Sequence, residues 1–293
     1  MQSIQVKTPA KINLTLEIMG KRPDGFHELE TVMQAINVFD FLTVAIESSN
    51  TDSNKIELKG NNSQIPYDNT NLVYIAAEKY LNKAQLKGFN VRIFIEKNIP
   101  VAAGLAGGSS NAAGTLFALN TLFKNKLSEA QINELAAQMG SDLNFCLYGG
   151  AKLAKSRGEI LTPIDTANIK IALVKPKNLF ISAKEAYTKY AQMEAKPQTR
   201  NTEKLISAIT ENNICKLADL LNNDLEKAIL PFYAEIEDII NQLKAKGAIN
   251  AMMSGSGPTV FAVYEDKIDL SEFDTEKYDV FLAETIPYGI SLT

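Results

Sequence analysis

A single histidine, two cysteines and no tryptophan leave this 293-residue chain with a restricted set of chemistries. One imidazole, His27, cannot build a zinc site on paired histidines. A Ser-His-Asp triad would have to use His27, which has no nucleophile elbow near it. Cys146 and Cys215 are too few for a disulfide framework, so a reducing, cytoplasmic setting is expected. Nowhere do about 18 apolar residues run uninterrupted, and no membrane span is expected. Met1 to Pro9 also lacks the apolar stretch of a signal peptide. Charge of one sign is missing too. Thirty basic side chains face 34 acidic ones, for a net charge of −4, and there is no long Lys/Arg tract to make a nucleic-acid-binding face. Sixteen glycines and ten prolines are too few for a collagenous or disordered chain. What remains is a soluble globular protein, 45% hydrophobic, long enough for one large domain or two ordinary ones.

Ile12, Leu14, Leu16 and Ile18 alternate with Asn13, Thr15, Glu17 and Met19, the period of a strand with one buried face. Pro23, Asp24 and Gly25 then make a turn. Phe41 to Ile46, Ile56 to Leu58 and Val91 to Ile95 are further strands. Asn71 to Leu81 has helical spacing, with Asp68 or Thr70 as its cap. Ser109, Ser110 and Asn111 open an Ala/Leu-rich helix towards Leu122. Ser128 and Gln131 form a capping box for a helix ending near Gly140. In the second half, Ile169 to Val174 reads as a strand, and Ser182 to Met193, Ile214 to Leu225 and Tyr233 to Lys246 read as helices. Ala248 to Met253 and Thr259 to Tyr264 are strands, while Ala195 to Thr202 is a loop. Strands and helices mix without strict alternation, so the class is α+β. Domain size puts a boundary near Leu153 to Pro163, dividing the chain into residues 1–155 and 156–293.

Five features carry chemistry. Pro100, Val101, Ala102, Ala103, Gly104, Leu105, Ala106, Gly107, Gly108, Ser109, Ser110 and Asn111 form a glycine-rich turn opening a helix. In such a turn, backbone N–H groups and the positive end of the helix dipole converge on an anion. The spacing fits neither G-x-x-x-x-G-K-[ST] nor G-x-G-x-x-G, and taken alone it serves tight packing equally well. Lys11 and Asn13 lie two apart on the first strand and share a face. Phe26 and His27 follow the Pro-Asp-Gly turn. Asp142 lies just past a helix end, in GSDLNF. Ser254, Gly255, Ser256, Gly257 and Pro258 join two strands as a plain hairpin loop or a second glycine platform. Each has an ordinary structural reading by itself.

Their order resembles one family. PAKINLTL (Pro9 to Leu16), PVAAGLAGGSSNAA (Pro100 to Ala113), MGSDLNF (Met139 to Phe145) and MMSGSGPTVFAV (Met252 to Val263) are similar to the successive motifs of the GHMP small-molecule kinases. The segment RPDGFHELETVMQ (Arg22 to Gln34) resembles members whose acceptor carries a cytidine head. The resemblance implies two domains: an N-terminal one with the phosphate loop leading into a helix, and a C-terminal one that is ferredoxin-like. It implies ATP as co-substrate, with Pro100 to Ser110 at the phosphates, Asn111 beside them, Asn71 and Lys97 near the adenosine, and Gly255, Ser256 and Gly257 closing over the site. Asp142 matches the acid/base aspartate and Lys11 its partner. Asn13, Phe26, His27 and Tyr187 match positions that hold the cytidine-bearing substrate, with Phe26 and Tyr187 on either side of the base. Mg²⁺ is the expected counterion, with Ser109 or Ser110 its candidate protein ligand. Homoserine, mevalonate or a sugar remain alternative acceptors, and a non-catalytic nucleotide-binding relative is the alternative of another class. Three positions depart from the pattern: Phe26 stands where Tyr is usual, Ala106 where many relatives carry Gly, and Asn111 where many carry Asp.

Overall fold

A computed structural model describes all residues, 1–293. Two long strands, β1 (Gln2–Lys21) and β2 (His27–Ser48), run antiparallel around the Pro23–Gly25 turn. They are the spine of an eight-stranded sheet with β3 (Lys55–Gly60), β4 (Phe89–Glu96), β5 (Ala151–Ser156) and β6 (Ile160–Ile164). The far half of β2 pairs with β4 and its near half with β5. Against this sheet pack α1 (Leu72–Lys83), α2 (Gly107–Leu122), α3 (Glu129–Met139) and α4 (Asp142–Tyr148), around a core that includes Leu42, Val44, Ile93, Leu116 and Phe145. The capping box of α3 forms as the sequence predicts. Helix α1 is capped by Asn71, whose side chain accepts from Val73 N–H, and not by Asp68 or Thr70, which bond to each other in the preceding turn. Helix α2 begins two residues before Ser109, at Gly107, because Ala106 in the left-handed region turns the loop into the helix.

The second half forms a four-stranded antiparallel sheet of β7 (Lys170–Pro176), β9 (Asn250–Met253), β10 (Val260–Tyr264) and β11 (Tyr278–Glu284), in the order β11-β7-β10-β9. That is the 4-1-3-2 order of a ferredoxin-like sheet. Between β7 and β9 lie α5 (Ala183–Gln192), α6 (Thr202–Thr210), α7 (Ile214–Asp219), α8 (Asp224–Ile229) and α9 (Ala234–Ala245). The helix expected over Ile214 to Leu225 is broken. Asn222 and Asn223 form a short strand, β8, parallel to β1, before α8 begins. A last strand, β12 (Ser291–Leu292), also returns to β1. The first sheet therefore holds the β5–β6 hairpin through to Ile164, beyond residue 155, and takes two strands from the C-terminal half. The ferredoxin-like sheet is covered on both faces, as alternation dictates. Ile171, Leu173, Phe261 and Val263 meet Ile12, Leu14 and Ile36 of the first sheet, while Ala172, Val174, Val260 and Ala262 meet Ile236, Ile239 and Leu243 of α9.

Candidate active site

Strand β1 is buried without a break from Thr8 to Ile18, so its polar residues do not face water. Its apolar set packs on the second half of the chain. Lys11 and Asn13, on the other set, are 5% and 2% exposed and look into a cavity. Lys11 Nζ donates to Asn13 Oδ1 at 2.6 Å and to Gly104 O at 3.2 Å, and lies 3.8 Å from Asp142 Oδ2. Asn13 Nδ2 donates to Thr31 Oγ1 at 2.9 Å, which fixes the amide. The β1–β2 register slips between Asn13 and Thr15, the kind of local irregularity that re-aims side chains beside a site. Asp142 is the first residue of α4, where the helix dipole favours a carboxylate. Half-exposed, it opens to the cavity, whereas Lys11 is closed off behind it.

The glycine loop wraps this pair. Lys11 N–H donates to Leu105 O, stitching the loop to β1. Gly104 has φ +73°, and a Cβ there would stand 2.1 Å from Ser254 O, so only glycine lets the Ser254–Pro258 loop approach. Ser254 Oγ donates to Gly104 O at 3.2 Å. Gly255 (φ +56°) comes so near Lys11 and Asn13 that a Cβ would lie 3.3 Å from Lys11 Nζ. Asn223 of β8 donates to Gly255 O and Met253 O, both at 2.8 Å, holding the second loop in place. The two glycine segments, far apart in sequence, are thus one platform.

Behind the platform lies a group the sequence reading missed. Asp40, fully buried, accepts from Asn98 N–H and Ile99 N–H (both 2.7 Å), Lys97 Nζ (2.6 Å) and Asn111 Nδ2 (2.8 Å). Lys97 and Asn111 are therefore tied to the root of the loop, though both still touch the cavity wall. Burial pulls the Lys97 ammonium below the usual lysine range, against the raising effect of Asp40. The signal for Asp40 was present: Val38, Asp40, Leu42 and Val44 alternate, which puts an acid on the buried face of a strand. Ser110 Oγ is spent on Pro9 O at 2.7 Å, so of the two serines only Ser109 faces the cavity. Leu105, Ser110 and Gly257 are buried behind the lining; Pro100, Val101, Ala102, Ala103, Gly104, Ala106, Gly107, Gly108, Ser109, Gly255 and Ser256 form it. Asn71 lines its far end while capping α1.

At the other end are Phe26, His27 and Tyr187. Tyr187 stacks on His27 with ring centroids 5.2 Å apart and planes at 17°. Phe26 is 55% exposed, and the Arg157 guanidinium carbon lies 5.1 Å from its ring centre. Phe26 and Tyr187 both line the cavity, each against a neighbour of its own: Arg157 for Phe26 and His27 for Tyr187. Burial lowers the His27 pKa below the ordinary imidazole value, with help from Lys21 and Lys196. Burial, and then the Asp142 charge, raise that of the Tyr187 phenol. Arg157, Lys21 and Lys184 also line this end, and Asp142 is the one acid in the whole lining. The cavity measures about 1150 Å³, beyond the roughly 300–1,000 Å³ of a site for one drug-sized ligand. Two glycine loops whose backbone can face an anion, a cluster of aromatic rings and a Lys–Asp pair lining one cavity suit the transfer of a phosphoryl group between two bound molecules.

The comparisons agree with that geometry. The family models for the GHMP kinases N terminal domain and the GHMP kinases C terminal domain match residues 71–150 and 205–273. A 4-diphosphocytidyl-2-C-methyl-D-erythritol kinase of Syntrophomonas wolfei is 41% identical over 288 residues, covering 96% of this chain and 98% of the relative. One of Nostoc punctiforme is 38% identical over 321 residues, covering 100% and 99%. A crystal structure of a 4-(cytidine 5'-diphospho)-2C-methyl-D-erythritol kinase superposes with a TM-score of 0.79 at 28% identity, over 96% of this chain and 99% of that one. A homoserine kinase from Cytophaga hutchinsonii has the same TM-score at 19% identity, a likeness of fold. Both halves of the molecule are those of a GHMP kinase. Within that class, the chain belongs to the 4-diphosphocytidyl-2-C-methyl-D-erythritol kinase family.

Proposed function

We propose that the protein transfers the γ-phosphoryl group of ATP to the 2-hydroxyl of 4-diphosphocytidyl-2-C-methyl-D-erythritol, giving the 2-phosphate and ADP, in the cytoplasmic non-mevalonate route to isoprenoid precursors. The observation that supports this reading is Lys11 Nζ, 3.8 Å from Asp142 and 3.2 Å from a carbonyl of the glycine loop, in the one cavity that Phe26, His27 and Tyr187 also line. Asp142 accepts the proton of the attacking hydroxyl as the phosphorus–oxygen bond forms and the bond to ADP breaks. Lys11, 3.8 Å from that carboxylate, orients the same hydroxyl and faces the charge that develops on it. Loop N–H groups from Gly104 to Ser109 take the phosphate charge, with the α2 dipole behind them. Phe26 and Tyr187 hold the cytosine by stacking, worth roughly 1–3 kcal/mol per base, and a neutral His27 reads its edge. Asn13, anchored by Thr31, hydrogen-bonds the sugar-alcohol portion.

Mg²⁺ accompanies ATP in this reading. The ion is usually held by one or two carboxylates together with substrate phosphates and waters; Asp142 is the one carboxylate in the lining, and Ser109 is the hydroxyl of the first glycine loop that lines the cavity. When bound, the ion would offset charge on the β- and γ-phosphates. Purified protein, ATP, Mg²⁺ and a panel of acceptors, read out as ADP, test the function. Turnover is expected with the cytidine acceptor and not with homoserine, mevalonate or a sugar. Asp142→Asn should lower kcat by about a thousandfold or more with the melting temperature held. Near-normal turnover in that variant removes Asp142 from the chemistry.

A further inference from the structure

Arg22 lies outside the cavity lining, yet it joins the two turns that deliver Phe26 and Arg157 to it. Its Nη1 donates to Glu28 Oε2 at 2.8 Å and, across the gap, to Ser156 Oγ at 2.7 Å. Its Nε donates to the Asp24 carboxylate at 3.1 Å. Asp24 Oδ1 in turn accepts from Phe26 N–H at 3.1 Å, and Arg22 N–H donates to Phe26 O at 2.8 Å. On the other turn, Ser156 Oγ donates to Glu159 Oε1 (3.2 Å), Glu159 Oε2 accepts from Arg157 N–H (2.7 Å), and the Arg157 guanidinium covers one face of Phe26. The contacts close a ring: Arg22, Ser156, Glu159, Arg157, Phe26, Asp24 and back to Arg22. Nothing apolar does the same work, because Phe26 is more than half exposed and its turn, Pro23 to Gly25, stands in solvent.

We propose that Arg22 is a positioning residue for the acceptor base. It clasps the β1–β2 turn to the β5–β6 hairpin, so that the Phe26 ring and the adjoining His27 are set before the base arrives. The inference rests on the function proposed above and adds a residue to it. A binding loop that is already ordered lowers the cost of binding. A planar guanidinium can serve three acceptors in fixed directions, where a lysine ammonium offers one point of charge. The signature of such a residue is a change in acceptor KM alone.

Steady-state kinetics with ATP and the cytidine acceptor varied separately, on wild type, Arg22→Ala, Arg22→Lys and Ser156→Ala, test it, with melting temperatures alongside. Arg22→Ala should raise the acceptor KM about tenfold, the scale of one lost charge-assisted hydrogen bond, while kcat and the ATP KM stay within about twofold. Arg22→Lys should recover only part of the loss. Ser156→Ala, which removes the side-chain link from Arg22 to the hairpin and leaves the Leu29–Ser156 strand pairing and Arg22's two carboxylates, should raise the acceptor KM by a smaller factor in the same direction. An unchanged acceptor KM in Arg22→Ala overturns the inference, as does an ATP KM that rises in step. Should Arg22→Ala fail to fold, Ser156→Ala decides in the same terms. A wild type that turns the acceptor over while the variants are indifferent removes the clasp alone; a wild type with no turnover removes the proposed function and the clasp with it.

Discussion

Ala106 sits at φ +56° at the mouth of α2, and Ala102 at φ +50° four residues earlier, a region that alanine enters at a cost of about 1–2 kcal/mol. Backbone strain of this kind is held by its surroundings at functional sites. Here the surroundings are the bonds from β1 and from the Ser254 loop. Ala106→Gly should therefore raise stability by about 1 kcal/mol after the entropy of the extra glycine is deducted, a rise of about 2 °C in melting temperature for a chain of this length. Differential scanning fluorimetry checks it, and a lower melting temperature would mean that the Ala106 methyl packs more favourably than its backbone is strained. The residue scale is also where the sequence was most and least informative. Lys11, Asn13, Asp142 and both glycine loops could be picked out by type and order, and they meet. Asp40 carries no motif, and the one signal for it, its place among Val38, Leu42 and Val44 on the apolar face of β2, is easily passed over. Arg157 was invisible for a different reason, since its meaning depends on a hairpin that brings it over Phe26.

Elements whose own periodicity matched their environment were legible: α1, α3, α5, α9, β4, β7 and β10 stand within a few residues of their expected places. The failure over Ile214 to Leu225 has a physical cause. Helical spacing continues through the segment, but Asn222 and Asn223 bond to β1 and to the Gly255 loop, and those tertiary bonds override a propensity worth tenths of a kcal/mol per residue. The helix restarts as α8 with Asn223 as its cap, which sets Glu226 beneath the second glycine loop. Glu226 Oε2 accepts from Met253 N–H at 2.6 Å, and burial pushes the carboxyl up to about 7. Its ordinary value is 4.5, so between the two the unfolded chain has released a proton that the folded chain keeps. Stability contributed by the acid form is then present below the unfolded value and lost as pH rises towards 7. Glu226→Gln keeps an acceptor for Met253 and has no proton to lose. At pH 8 it should be more stable than wild type by about 1–3 kcal/mol, with the gap closing near pH 4.5. Urea denaturation at the two pH values measures this. Equal stabilities at pH 8 would show that the carboxylate reaches water.

At the scale of the molecule, the question is whether the two halves behave as two domains. The division at 155/156 follows from chain length, but length says nothing of where strands return. Strands β8 and β12, from the second half, pair with β1, and a shared core joins Ile12, Leu14 and Ile36 to Leu173, Phe261 and Val263. The two glycine loops interlock through Gly104, Ser254 and Asn223 at the cavity itself. Unfolding either half would expose the apolar face of the other, so the halves should lose structure together. Calorimetry is expected to show one transition. ATP at about 100 times its dissociation constant adds about 2.7 kcal/mol to whatever unit binds it, and the whole transition should move up by about 5 °C. Two resolved transitions, with ATP raising only one, would mean that the ATP site belongs to a half that folds by itself and that the shared core is an interface between domains. A single ATP-shifted transition would mean that joining the two glycine loops and folding the molecule are one cooperative event, with Asp142 and Lys11 brought to the same place by the same bonds that hold the sheets together.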